Sequence, residues 1–214
     1  MDDKKLICFD LDNTITKSDK VHIDSFNYAL EQMGYEKKHP EQIYTLLGRP
    51  KFEVAEILLN NKSRKKKLEL LRIHDKRLAE KSYKYAKQIR GTKSVLKKLK
   101  KKYRLALVSN CKHENVDFIL KGAKLDKKLF DVILGNDNVR RSKPCPDEIF
   151  AAEKLAKHKA EYMIGDSIYD IMAGNNAKVK TIAVLTGHYS RENLKKYNPF
   201  LIVKSIRDLP RILL

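Results

Sequence analysis

Two carboxylates one residue apart, Asp10 and Asp12, close the apolar run Leu6-Ile7-Cys8-Phe9 near the start of the chain. Side chains at i and i+2 of a strand share a face, so "ICFDLDNTIT" holds two like charges together at the strand's end. Further polar groups stand at matching places. "YRLALVSN" (103–110) ends on Ser109 and Asn110, and "RRSKPCPD", after "DVILG" (131–135), carries Lys143. "YMIGD" (162–166) ends on Asp166, with Asp170 on the opening turn of the next helical pattern. In open α/β sheets, ligands bind beyond the carboxyl ends of the strands. The groups expected there are four carboxylates, a hydroxyl, an amide and an ammonium. Four acids repel one another unless a hard divalent cation neutralises them, and Mg2+, which takes oxygen ligands and keeps waters, suits. The ammonium and hydroxyl would then face an oxygen-rich anion, which describes a phosphoryl site. Phosphoryl transfer needs mainly positioning and charge compensation. One carboxylate can attack to form an aspartyl-phosphate, while its neighbour protonates a departing alkoxide and later deprotonates water.

The elements that must position these groups follow from periodicity. From about residue 94, short apolar runs alternate with helical patterns near 94–102, 113–122, 147–158, 168–176 and 190–197. Two later strand candidates are "TIAVLTG" (181–187) and "LIVK" (201–204). This alternation predicts an α/β fold, a Rossmann-like parallel sheet with helices on both faces and "LICFDL" as its first strand. Residues 17–90 show no convincing strand. "SDKVHIDSFNYALEQMG" offers Ser18 or Asp19 as an N-cap, an apolar stripe at Ile23, Phe26, Leu30 and Met33, and Gly34 as a stop. "RKKKLELLRIHDKRLAEKSYKYAKQI" predicts a second helix with Leu68, Leu71, Leu78, Tyr85 and Ile89 along one stripe. Gly48 and Pro50 interrupt the helical run between them. The organisation expected is a core of residues 1–16 and 91–214 and a small all-helical cap, 17–90, inserted after the first strand.

The motifs "DLDNT" (10–14), "VSN" (108–110), "KPCPD" (143–147) and "GDSIYD" (165–170) resemble, in order and placement, those of the haloacid dehalogenase-like (HAD) phosphohydrolases. The resemblance covers essentially the whole chain, since "LTG" (185–187) and "SIRDLPRIL" (205–213) are similar to the family's C-terminal segment. It implies that Asp10 is the nucleophile and Asp12 the general acid/base, with Asp10, Asp12 (through its carbonyl) and Asp166 holding Mg2+. It further implies that Ser109 hydrogen-bonds a phosphoryl oxygen and Lys143 offsets charge on nucleophile and phosphate. Asp170 would fix a metal-bound water or Lys143 from behind. Residues 17–90 then correspond to the helical cap of the phosphoglycolate phosphatase and β-phosphoglucomutase-like branch, which closes over the site and excludes water. Asn110 and Arg49 are candidate substrate contacts. A guanidinium between Gly48 and Pro50 suits bidentate binding of a carboxylate or second phosphate, and an exposed loop arginine is the competing reading. "RGTKSV" (90–95) lacks the Pro-Gly common in relatives, and Lys178 stands where Gly is common; both departures touch turns rather than chemistry.

Each of these residues also has a plain structural reading. Asp10 and Asp12 could cap the next segment, Ser109 and Asn110 could cap the helix near His113, and Lys143 and Asp170 could be solvated. An unpaired Asp166 at a strand end would be costly to bury.

The 214 residues carry a formal charge of +19. Residues 61–104 hold 19 Lys or Arg against the acids Glu69, Asp75 and Glu80, a surplus of 16. Such a surface attracts anions. Solvated helix faces are the bland reading, and no nucleic-acid motif accompanies the charge. No apolar run approaches the ~20 residues that span a bilayer, and "MDDKK" before a short strand gives no sign of a signal peptide. Cys8, Cys111 and Cys145 are too few for a disulfide framework and form no CxxC pair. A cytoplasmic, reduced protein is expected, with these thiols as small buried groups or, alternatively, as points of oxidative or heavy-metal sensitivity near the site.

The function expected is Mg2+-dependent hydrolysis of a small phosphomonoester, phosphoglycolate first. A phosphomutase, or a nucleotide or pyrophosphate phosphatase, is the alternative within the family. A basic anion- or nucleic-acid-binding protein with a secondary site is the alternative outside it. Neither the substrate nor the oligomeric state is written in the motifs.

Overall fold

Every residue of the first strand is buried, as happens when both faces of a sheet are covered. The computed structural model describes residues 3–60 and 62–214. Its first elements are β1 (Leu6–Phe9), β2 (Thr16–Lys17), α1 (Asp19–Gln32), α2 (Pro40–Tyr44), α3 (Lys51–Leu58), α4 (Arg64–Glu80) and β3 (Lys87–Gln88). There follow α5 (Thr92–Leu99), β4 (Arg104–Ser109), α6 (His113–Gly122), β5 (Val132–Gly135), α7 (Asp147–Ala156), β6 (Ala160–Gly165) and α8 (Ile168–Asn176). The last are β7 (Lys180–Val184), α9 (Arg191–Lys195), β8 (Leu201–Val203) and α10 (Leu209–Leu213).

Six strands form one parallel sheet in the order β5-β4-β1-β6-β7-β8. The expected Rossmann-like α/β fold is what the chain adopts. Alternate residues of β1 serve opposite layers: Ile7 and Phe9 pack with Leu96 and Leu120, while Leu6 and Cys8 pack with Ile149 and Ala152 of α7. The strand order runs outward from β1 in one direction and resumes beside it at β6. This is the reversal that opens a crevice at the strands' carboxyl ends. The loops after β1 and β6, which carry Asp10 and Asp166, flank it.

Helices α1–α4 have an apolar core of their own, built around Phe26, Leu30, Val54, Leu58 and Leu70. The segments leading to and from them pair as the antiparallel β2 and β3, Thr16 opposite Gln88 and Lys17 opposite Lys87. These two-residue strands depart from the strand-free reading of 17–90; they are too short to show any alternation.

Two further details differ from the sequence reading. Ser18 does precede α1, but its hydroxyl makes no cap; it donates to Asp12 Oδ1 at 2.5 Å. The helix expected to run to Ile89 ends at Glu80, where Lys81 leaves helical backbone with φ −138°, and a tight turn covers Ser82–Tyr85. The buried stripe of α4 is Lys67, Leu70, His74 and Leu78, whereas Leu68 and Tyr85 are exposed. The i+4 spacing of 70, 74 and 78 defines that face. A histidine in the middle of it disguised the register. No helix among the described residues is long and apolar enough to cross a membrane.

Candidate active site

The centre of the crevice is an ion cluster. Lys143 Nζ, buried in the loop before α7, donates to Asp10 Oδ1 at 2.6 Å, Asp170 Oδ1 at 2.7 Å and the Val108 carbonyl at 3.2 Å. Asp10, Asp166 and Asp170 bring one carboxylate oxygen each within 4.8 Å of one another. Three buried acids face one ammonium. Burial lowers the Lys143 pKa, but Asp10 and Asp170 outweigh it and hold the side chain charged. Burial, then the repulsion of neighbouring acids, pushes both Asp10 and Asp166 upward despite Lys143. The cluster is short of positive charge. Oxygen donors, two acids in excess and a backbone that crowds them fit a hard divalent ion such as Mg2+.

The neighbours of the acids hold them in place. Thr14 Oγ1 donates to Asp166 Oδ1 at 3.1 Å. Asp170 Oδ2 accepts from the Ser167 hydroxyl at 2.6 Å and from its N–H at 3.1 Å, forming a reciprocal cap at the start of α8. A Cβ added to Gly187 would lie 1.8 Å from Asp166 Oδ2, and one on Gly165 would lie 2.2 Å from Asp170 Cγ. Only glycine leaves room for the acids at these two points.

Asp12 points the other way, toward α1. Its Oδ1 accepts from Ser18 and lies 3.1 Å from His22 Nε2, and its Oδ2 accepts from Cys111 Sγ at 3.2 Å. Burial would raise its pKa, but the His22 ring, the Ser18 hydroxyl and the Lys51 ammonium outweigh it. The carboxyl is held well below the usual carboxylate range. Behind His22, Lys51 Nζ lies 3.2 Å from His22 Nδ1 and 3.3 Å from His74 Nε2, and His74 Nδ1 lies 3.0 Å from Asp75 Oδ1. One tautomer set satisfies the contacts with Lys51, Asp12 and Asp75: the ammonium donates to both rings, His22 donates to Asp12, and His74 donates to Asp75. It leaves His22 Nδ1 and His74 Nε2, 3.3 Å apart, as two acceptors sharing the ammonium. Burial, reinforced by Lys51, pushes the His74 pKa down to about 3, so its ring is neutral.

The remaining candidates are also placed. Ser109 Oγ is buried and accepts from the Cys111 N–H at 3.1 Å. It does not cap α6, whose first N–H goes instead to Asp137 Oδ1 at 2.7 Å. Asn110 Nδ2 donates to the carbonyls of Gly48 (3.2 Å) and Lys143 (3.3 Å), tying a loop of the helical layer to the sheet, and its buried Oδ1 has no partner. Arg49 lines the same cavity but is not free: its guanidinium pairs with Glu53 and donates to Tyr169 Oη at 3.1 Å. The cavity between the helical layer and the sheet is about 30 Å³, room for about two waters. Asp10, Asp12, His22, Lys51, Asn110 and Cys111 are among its walls. His22, Lys51 and Thr14 went unnoticed in the sequence. Ser18 and His22 at i,i+4 spacing just behind Asp12 were the available signal for one of them.

Residues 7–184 match the model of the family described as haloacid dehalogenase-like hydrolase. A protein of Caldanaerobacter subterraneus subsp. tengcongensis, assigned as the pyrophosphatase PpaX, is 31% identical over 211 residues, 97% of this chain and 93% of that one. A solved structure from Lactobacillus delbrueckii subsp. bulgaricus, assigned as a phosphoglycolate phosphatase, superposes with a TM-score of 0.86 at 25% identity, covering 100% and 99% of the two chains. A haloacid dehalogenase-like hydrolase from Bacteroides fragilis matches with a TM-score of 0.89 at 22% identity over 96% and 99%, a likeness of fold.

Proposed function

This chain belongs to the haloacid dehalogenase-like hydrolases, and from that membership we propose that it is a Mg2+-dependent phosphatase of small phosphorylated substrates, with Asp10 as nucleophile. The observation that carries this reading is the shared cluster, with Lys143 Nζ 2.6 Å from Asp10 and 2.7 Å from Asp170 and Asp166 within 4.8 Å of both. Asp10 and Asp166, with the Asp12 carbonyl, would hold Mg2+, which when bound neutralises the acids and draws charge from the phosphoryl oxygens. Lys143 keeps Asp10 oriented and compensates charge on the phosphoryl group. Asp10 attacks phosphorus, the bond to the leaving oxygen breaks, and an aspartyl-phosphate forms. Asp12 supplies a proton to an alkoxide and takes one from the water that cleaves the aspartyl-phosphate, returning Asp10. Ser109 steadies a phosphoryl oxygen, Asp170 steadies Lys143, and residues 17–90 act as a cap that keeps bulk water out. Asn110 and Arg49 contact the substrate's far end once the cap has opened and reclosed around it.

A second reading is favoured by the surroundings of Asp12. Its two oxygens already meet Ser18, His22 and Cys111, an arrangement that suits a proton acceptor better than a donor. A phosphate leaving group needs less protonation than an alkoxide, so a pyrophosphate bond fits this Asp12, as does the 31% likeness to the PpaX protein.

Phosphate release from phosphoglycolate, sugar phosphates, pyrophosphate and nucleotides, with and without Mg2+, tests both readings. Turnover should require Mg2+ and fall by more than about 10⁴-fold in Asp10→Asn. A variant as active as the wild type, or no release from any ester or anhydride, would remove the reading. Salt-sensitive nucleic-acid binding unaffected by Asp10→Asn would favour the basic-surface alternative.

A further inference from the structure

Beside the acid cluster is a second donor set of different chemistry. Cys111 Sγ, His22 Nε2 and the Asp12 carboxylate converge on one point of the cavity wall, brought there by the loop after β4, by α1 and by the loop after β1. Sγ to Oδ2 is 3.2 Å, Oδ1 to Nε2 is 3.1 Å and Sγ to Nε2 is 3.9 Å. Zinc bonds of ~2.3 Å to sulfur, ~2.0–2.1 Å to nitrogen and ~2.0–2.2 Å to oxygen, set tetrahedrally, give donor separations of about 3.3–3.6 Å. The three measured edges lie within a few tenths of an ångström of that range, and a small turn of the Asp12 carboxyl brings one oxygen to the common vertex. Thiol, imidazole and carboxylate together select a thiophilic ion over Mg2+. All three donor residues line the cavity that Asp10 also lines, which leaves room for a fourth, exchangeable ligand as in zinc sites that keep one position open.

The geometry points to a Zn2+ site formed by Cys111, His22 and Asp12, separate from the oxygen cluster that would hold Mg2+. Binding has a definite proton balance. The Cys111 thiol proton leaves to solvent as the Zn–S bond forms. The His22 proton moves from Nε2 to Nδ1, freeing the Nε2 lone pair for the metal, and Lys51 turns wholly to His74. Lys51 opposes a second cation here, so the soft Zn–S bond is what makes the site. Bound zinc occupies the Asp12 carboxylate and stops its proton transfer. This consequence rests on the proposed function; the binding does not.

The test uses full-length protein stripped of metal and loaded with Co2+ or Zn2+, with the stoichiometry and every Zn2+ affinity read in saturating Mg2+ so that the oxygen cluster is already filled. The wild type should bind one Zn2+, and its Co2+ form should show a thiolate-to-metal charge-transfer band with the intense d–d bands of tetrahedral cobalt. Saturating Mg2+ should leave them in place. Cys111→Ala should lose the charge-transfer band, Cys145→Ser should keep it, and His22→Asn should weaken Zn2+ binding by at least about tenfold. Wild-type protein without the thiolate band, which needs no variant to establish, overturns the site. So does Cys111→Ala binding Zn2+ as tightly as the wild type, or Cys145→Ser losing the band. Zinc held with that band but without effect on phosphate release would count against Asp12's role in turnover, not against the site.

Discussion

Glu148 stands on the first turn of α7, fully buried, with neither carboxylate oxygen hydrogen-bonded. Burial, aided by Asp170 and Asp147 and opposed by Lys143, raises its pKa from the ordinary 4.5 to about 7. The folded state therefore holds this proton over a pH range in which the unfolded chain has released it. The stabilisation is complete below pH 4.5 and is lost as pH rises through about 7. The gap between 4.5 and about 7 corresponds to about 3 kcal/mol, as an order of magnitude, at 1.36 kcal/mol per pH unit. Glu148→Gln keeps the shape of the protonated acid and cannot ionise. Variant and wild type should have similar stability near pH 4.5, and the variant should become more stable by about 3 kcal/mol by pH 8. Urea unfolding of both proteins at half-unit pH steps measures the difference, in which titrations common to both cancel. For a chain of this size the same gain would raise Tm by about 6–12 °C. A difference that stays within about 1 kcal/mol from pH 4.5 to 8 would refute the reasoning, because a desolvated, unpartnered carboxylate must show this slope.

Gly187→Ala should shift the Mg2+ dependence of phosphate release upward by about tenfold or more, because its Cβ would displace Asp166 Oδ2; an unchanged Mg2+ titration would contradict the placement of Asp166. Lys143→Met strands Asp10 and Asp170 without their shared ammonium. It should cost about 3–5 kcal/mol in urea unfolding and abolish turnover. His74 has the opposite linkage to Glu148. Its pKa falls from 6.5 to about 3 on burial, so the stability it secures above pH 6.5 drains away as pH falls toward 3. His74→Gln should accordingly lose less stability than the wild type between pH 6.5 and 4, read by urea unfolding at each pH.

Much of the fold was legible along the chain because the relevant forces are local. The continuous apolar run 6–9 requires cover on both faces, and β1 is buried throughout. The patterns at 113–122 and 168–176 are α6 and α8 to the residue. The acids and the lysine at strand ends were visible because a parallel sheet puts all its carboxyl ends on one rim. Periodicity misled in α4, where the buried stripe passes through Lys67 and His74. Polar residues are counted as outward until a partner such as Lys51 or Asp75 is known to satisfy them. For Arg49, Glu53 at i+4 was a readable partner, whereas nothing along the chain pointed to Tyr169, 120 residues away.

By itself, then, the chain of residues determined the six strands of the main sheet and the helices between them, which groups stand at the strand ends, and the phosphoryl chemistry they suit. The tertiary structure alone decided the strand order with its reversal beside β1, the turning of Asp12 toward His22 and Cys111, and the burial of Glu148 without a partner. Spacing along a chain records only which face of its own element a side chain occupies. Cys111 and Asp12 lie 99 residues apart, and the pairing of β1 with β4, Phe9 opposite Leu107, is what sets their two loops side by side.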